Sequence, residues 1–204
     1  MSERVIFYYG IGSRYSYLAS TQIEALEQST GCEVLWRPLY SADLIALRGH
    51  NPFAGSPVSG QYEWPYRRAD AEAWAEFYGV PFIEPDREAL NPRLLARACV
   101  AASRLGVVRP FSHALFHAIF ADGIVVDEAE CQRRAASVGL SEATLMHAMH
   151  DSSIDDELRA VAEEAHRHGV FGVPTFIVRD RLFWGNDRLV LVRHYIEQLR
   201  KAVP

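Results

Sequence analysis

The side chains best placed to do chemistry begin with Ser13. In the run GIGSRYSYLA, Gly10 to Ala19, a glycine-punctuated turn follows the apolar segment VIFYY and delivers this serine ahead of an apolar-periodic stretch. Serine is a preferred helix N-cap. The same place, where unpaired N–H groups gather, also favours an anion or lowers a thiol's pKa. The residues alone leave both roles open. The three cysteines, Cys32, Cys99 and Cys131, are widely spaced with no CxxC among them, so neither a disulfide framework nor a structural zinc site is expected. Cys99 lies in the apolar helical run LLARACVAA and reads as buried packing. His113 and His117 stand four apart, but HALFH lacks the glutamate of a zinc protease motif. His147/His150 and His166/His168 read as helix-surface histidines, and no metal is expected.

Positioning Ser13 requires a strand before it and a helix after it. Val5 to Tyr9 reads as that strand and Ser16 to Thr30 as one helix stopped by Gly31, with Glu33 to Leu39 as a second strand. Strand, helix, strand implies a parallel pair with a crossover. From Ser41 to about Ser153 the punctuation is helical, interrupted by the Pro/Gly/Ser loop NPFAGSPVSG at 51–60. Trp74, Phe77 and Tyr78 mark one helix face, ended by Gly79. Asn91-Pro92 opens a helix that Gly106 closes. Pro110 to Gly123, Asp127 to Gly139, a helix from Ser141, and Ser153 to Gly169 follow. VPTFIV and RLFW are then two strands joined by a tight turn at Arg179–Asp180, and Asn186 or Asp187 caps a last helix to about Lys201. A sheet seeded at one end of the chain and completed at the other is one composite domain with a helical one inserted.

Length and composition set the outer bounds. A chain of 204 residues buries a full core in one domain, or in one domain with a sizeable insertion. A net charge of -5 and the absence of a basic run argue against nucleic acid as a partner. No run of 18 apolar residues is present to span a membrane. MSERVIF lacks a cleavable signal pattern, so the cytoplasm is the expected compartment.

GVFGVPTF (Gly169 to Phe176), FWGNDRL (Phe183 to Leu189) and SRYSYLA (Ser13 to Ala19) resemble the thioredoxin-fold, DsbA-like family of 2-hydroxychromene-2-carboxylate isomerases and kappa-class glutathione transferases. In element order the resemblance spans the whole chain. It implies an α/β fold: a thioredoxin-like domain, residues 1–40 and 165–204, interrupted by an all-helical domain at 41–164. It also implies glutathione as cosubstrate, a small aromatic carboxylate as substrate, and a homodimer. Ser13 matches the serine near the glutathione sulfur, where redox relatives carry the first cysteine of CxxC. A hydroxyl cannot form a mixed disulfide, but it can donate a hydrogen bond to a thiolate.

The Val173-Pro174 bond is cis in such folds, and the backbone of Val173 is free to pair with an extended peptide. Read alone, Pro174 simply starts an edge strand. Trp184, Gly185, Asn186 and Asp187 would serve glutathione's γ-glutamyl end, its carboxylate on backbone N–H groups and its ammonium on Asp187. Plain capping by Asn186 or Asp187 fits as well. Two positions depart from the family pattern: Gly10 stands for its Asp and Arg14 for its Pro. Arg14 reads either as a cation beside the thiolate or substrate carboxylate, or as a solvated surface residue. Arg48, His50, Asn51, Trp64 and Tyr66, around the loop at 51–60, could by position line a pocket for an aromatic acid, and an ordinary loop fits as well. The activity implied is a glutathione-dependent isomerase in aromatic-ring degradation. A kappa-like transferase or peroxidase would use the same site, and a non-catalytic thioredoxin-fold binding protein would keep only the fold.

Overall fold

The first strand, β1 (Arg4–Tyr9), carries apolar and aromatic side chains at every second position on both of its faces. Val5, Phe7 and Tyr9 join Phe176 and Val178 in one core, while Tyr8 joins Ile177, Leu39, Leu44, Ala162, Ala165 and Val170 in another. The sheet is therefore covered on both sides. The computed structural model describes residues 2–54 and 64–201.

β2 (Glu33–Pro38) pairs parallel to β1 with Val5 opposite Val34. β3 (Thr175–Val178) and β4 (Arg181–Trp184) complete an antiparallel edge, giving the order β2-β1-β3-β4. Arg179, at φ 55°, makes the turn between them. The expected crossover is present, but as two helices, α1 (Arg14–Ser20) and α2 (Ile23–Thr30), in place of one. At the break the Thr21 hydroxyl donates to Leu18 O at 2.7 Å, and Gln22 N donates to Ala19 O, tightening and ending the turn.

Between β2 and β3 run α3 (Ser41–Arg48), α4 (Trp64–Tyr78), α5 (Pro92–Arg104), α6 (Val108–Phe120), α7 (Glu128–Ser137), α8 (Glu142–His150) and α9 (Ile154–Arg167). Local signals start them where the sequence places them: Asn91 accepts from Leu94 N with Pro92 as first residue, and Asp127 accepts from Glu130 N. A 3-10 turn, Asn186–Arg188, leads into α10 (Leu189–Lys201). Phe111, Phe116 and Phe120 on α6 are fully buried and reach the core under β1, each contributing roughly 1.5–3 kcal/mol. This is the α/β, thioredoxin-like arrangement interrupted by helices that the resemblance implies. Among the described residues, no helix is long and apolar enough to cross a membrane.

Candidate active site

Four chain segments end or begin at one end of the sheet. β1 leads into Gly10–Tyr15, β2 into Leu39, β3 starts after Pro174, and β4 leads into Gly185–Arg188. Together they floor a cleft of about 920 Å³. Its far wall comes from α4, through Tyr66, Arg67, Asp70 and Trp74, and from the loop before α5, through Glu84, Pro85, Arg87 and Leu90.

Ser13 is the N-cap of α1, its Oγ accepting from Ser16 N at 3.2 Å, and its own N–H is held by Gly10 O. Because the hydroxyl accepts in that bond, its proton stays available to donate into the cleft. The cap therefore leaves the hydroxyl proton for a second partner. Gly10 is not dictated by crowding: a Cβ there would sit 3.5 Å from Val173 Cγ2 and 3.6 Å from Leu39 O, in ordinary contact.

Val173-Pro174 is cis. Pro174 O accepts from Gly185 N at 3.0 Å, and the Thr175 hydroxyl donates to Gly172 O at 2.7 Å. Among the described residues, neither the N–H nor the C=O of Val173 has a backbone partner. Gly172 has no room for a side chain, since a Cβ would lie 2.8 Å from Phe53 Cζ and 2.9 Å from Trp184 Nε1. Phe53 stacks on Trp184 there, with centroids 5.6 Å apart.

Asn186 is only 3% exposed, and its Nδ2 has no hydrogen-bond partner among the described residues. A buried amide of this kind costs stability unless something completes it. The Asn186 backbone carbonyl accepts from the Tyr78 hydroxyl at 3.4 Å. Asp187, 41% exposed, lies 3.3 Å from Arg188 Nη1. Gly185 has φ +112°, and a Cβ there would overlap Asp187 Oδ1, so the glycine sets where the carboxylate stands.

Arg14 is a buried residue, which settles the two readings of it against a solvated surface position. Its Nη2 lies 2.9 Å from Glu84 Oε1, with side chains 6% and 9% exposed. Burial raises the Glu84 carboxyl above its ordinary value, against the pull of Arg14, Arg87 and Arg68. Three residues on, the Tyr17 hydroxyl donates to Pro81 O at 2.6 Å, so α1 clamps the cleft loop at two points. Tyr15 donates to Asp70 Oδ2 at 2.7 Å, and burial and this bond raise its phenol.

Asn51 and Tyr66 line the cleft as expected, whereas Arg48 and His50 do not. Arg48 closes α3 and its Nη1 donates to Val170 O at 3.2 Å; His50 Nδ1 lies 3.2 Å from Arg48 O, outside the site. The left-handed turn at Gly49 redirects the chain after Arg48, the last residue of α3. Trp64 begins α4, and its side chain, like residues 55–63, lies outside the described residues. Glu84, Tyr15, Arg67 and Phe53 were not singled out from sequence. Phe53 sits in the 51–60 loop and Tyr15 in the Ser13 motif, but nothing local marks Glu84 or Arg67.

The cysteines are all buried and free. Burial pushes the thiols of Cys99 and Cys131 up to about 12, which makes both poor nucleophiles. Among the described residues no group of three His, Cys, Asp or Glu is placed to hold a metal.

Comparison with known proteins places this cleft in context. Residues 4–197 match the model of the DSBA-like thioredoxin domain. The chain is 30% identical to a 2-hydroxychromene-2-carboxylate isomerase of Sphingobium xenophagum, covering 96% of this chain and 99% of that one. It is 25% identical to an enzyme of the same name from Pseudomonas putida, over 96% and 95% of the two chains. Among solved structures it resembles a 2-hydroxychromene-2-carboxylate isomerase (TM-score 0.84, 23% identity, 97% and 96% covered). It also resembles the cytosolic disulfide reductase DsbM of Pseudomonas aeruginosa, solved with GSH (TM-score 0.63, 20% identity, 97% and 99% covered).

Proposed function

Because this chain belongs to the DSBA-like thioredoxin family, and within it to the 2-hydroxychromene-2-carboxylate isomerases, we propose that it is a glutathione-dependent isomerase of an aromatic-ring-degradation intermediate of that kind. One observation carries the reading: along the cleft floor stand a hydroxyl with a proton to give, the unpaired backbone of Val173, and a buried amide without a partner among the described residues. Those are the groups a short acidic peptide bearing a thiol requires. Glutathione, when bound, supplies a thiolate that adds to a conjugated double bond and leaves again once the resulting single bond has turned.

The protein's own residues then have distinct tasks. The free N–H and C=O of Val173 take the peptide's main chain as an added strand. Asn186 Nδ2 donates to the γ-glutamyl carboxylate, and Asp187 pairs with the ammonium beside it. Ser13 donates to sulfur and holds it in its anionic form. Leu90 and Trp74 give the cleft an apolar surface against which an aromatic ring packs and water is excluded. Most of the rate gain asked of this site is positional, through holding two reactants in one geometry.

Titration calorimetry with reduced glutathione tests the reading. A specific site is expected, and Asp187→Ala should weaken it about tenfold. That is the low end for a lost charged hydrogen bond, because Asp187 is part-exposed. Wild-type heats indistinguishable from buffer dilution at millimolar glutathione would overturn it.

A further inference from the structure

Among the described residues, the cleft as a whole is lined by four arginines, Arg14, Arg67, Arg87 and Arg188, and three carboxylates, Asp70, Glu84 and Asp187. Arg14 is taken up by Glu84, and Arg188 stands beside Asp187. Asp70 is occupied by the Tyr15 hydroxyl. Arg67 differs from these. No carboxylate lies within ion-pair distance of its guanidinium among the described residues; instead its Cζ sits 5.9 Å from the centroid of the Tyr15 ring. Tyr15 is fixed in turn, donating to Asp70 Oδ2 at 2.7 Å and to the Arg67 carbonyl at 3.4 Å. A weakly hydrated, planar cation thus stands over the Tyr15 ring, at the outer range of a cation–π contact, in the cleft that Ser13 also lines.

We infer that Arg67 is the specificity-determining residue for the substrate's carboxylate, its guanidinium over Tyr15 receiving the acid while the aryl group lies against Leu90 and Trp74. The inference rests on the isomerase reading for the identity of the substrate, but not for the chemistry of the subsite. An aryl carboxylate brings one negative charge and two acceptor oxygens, which a guanidinium fork matches. Arg87, the other arginine on this wall, is exposed, whereas Arg67 is part-buried and fixed by its ring, so less is lost when it orders around a ligand.

The test uses two probes of one shape on the full chain, cinnamate and cinnamamide, with affinities measured by calorimetry. Wild type should bind cinnamate more tightly than the amide. Arg67→Gln should weaken cinnamate by about tenfold or more and leave cinnamamide unchanged, and Arg67→Lys should keep part of the preference. Added salt should erode the wild-type preference, since the subsite is not fully buried. An unshifted melting midpoint shows that Arg67→Gln has kept its fold; if the midpoint moves, the comparison rests on Arg67→Lys. Wild type that does not distinguish the probes overturns the inference, as does equal loss of both probes in the variant. Loss of the preference in Arg87→Gln but not in Arg67→Gln would assign the carboxylate to the exposed arginine. None of these outcomes depends on glutathione binding, so failure here and failure of the isomerase reading are separable.

Discussion

Removing one member of the Arg14–Glu84 pair should be among the most damaging changes available near the cleft. With side chains 6% and 9% exposed and 2.9 Å between charged atoms, solvent screens the pair little. Taking away a single partner leaves an uncompensated buried charge, which costs about 3–5 kcal/mol. For a chain of this length that lowers Tm by roughly 6–20 °C, at about 2–4 °C per kcal/mol. Arg14→Met and Glu84→Leu should each show this loss, and the double variant should recover most of it or exceed wild type, because desolvation offsets much of the pair's attraction. The raised Glu84 carboxyl points the same way: burial outweighs the pull of Arg14. Its folded pKa lies above the ordinary 4.5, so the folded state holds the proton more tightly. The resulting stabilisation is full below about pH 4.5 and is lost as pH rises through the folded value. Glu84→Gln should remove that slope. Urea unfolding of the four proteins at neutral pH, followed by circular dichroism, measures the cycle. Single variants within about 1 kcal/mol of wild type would show that water reaches the pair and would refute the reasoning.

Other outcomes follow from the same geometry. Ser13→Ala should lose about 0.5–2 kcal/mol as a cap and also raise the thiol pKa of bound glutathione, by roughly one unit per 1.4 kcal/mol of lost thiolate stabilisation; thiolate absorbance against pH measures it, and an unmoved thiol with a lowered Tm leaves Ser13 a cap only. Gly185→Ala should weaken glutathione about as much as Asp187→Ala, because the new methyl displaces the carboxylate, whereas Gly10→Ala should stay within about 1 kcal/mol of wild type in urea. A folded Cys32→Ser/Cys99→Ser/Cys131→Ser variant should keep glutathione-dependent activity; a dead but folded one would bring a protein thiol into the mechanism.

Much of the fold is legible because local signals coincide with real boundaries. Asn91-Pro92 and Asp127 start helices by capping chemistry, and Gly106 and Gly139, which follow those helices, take left-handed conformations. The single helix expected over Ser16 to Thr30 was two, since apolar residues continue across a break made by one threonine hydroxyl. The site is legible only where its residues sit in contiguous motifs, as Ser13, Val173-Pro174 and Asn186-Asp187 do. Glu84 and Arg67 become site residues through packing of a loop and α4 across the sheet end, which no spacing records. Proximity in sequence misleads in the same way: Arg48 stands three residues from Asn51, yet α3 points it at Val170 O.

The central claim is that a bound thiolate isomerises the substrate and is returned. The direct measurement mixes the protein with 2-hydroxychromene-2-carboxylate, with and without reduced glutathione, following the aryl absorbance and titrating free thiol throughout. No isomerisation is expected without glutathione, saturable isomerisation is expected with it, and the thiol titre should be unchanged at the end. Isomerisation at full rate without glutathione, or a thiol titre that falls in step with product, would contradict it.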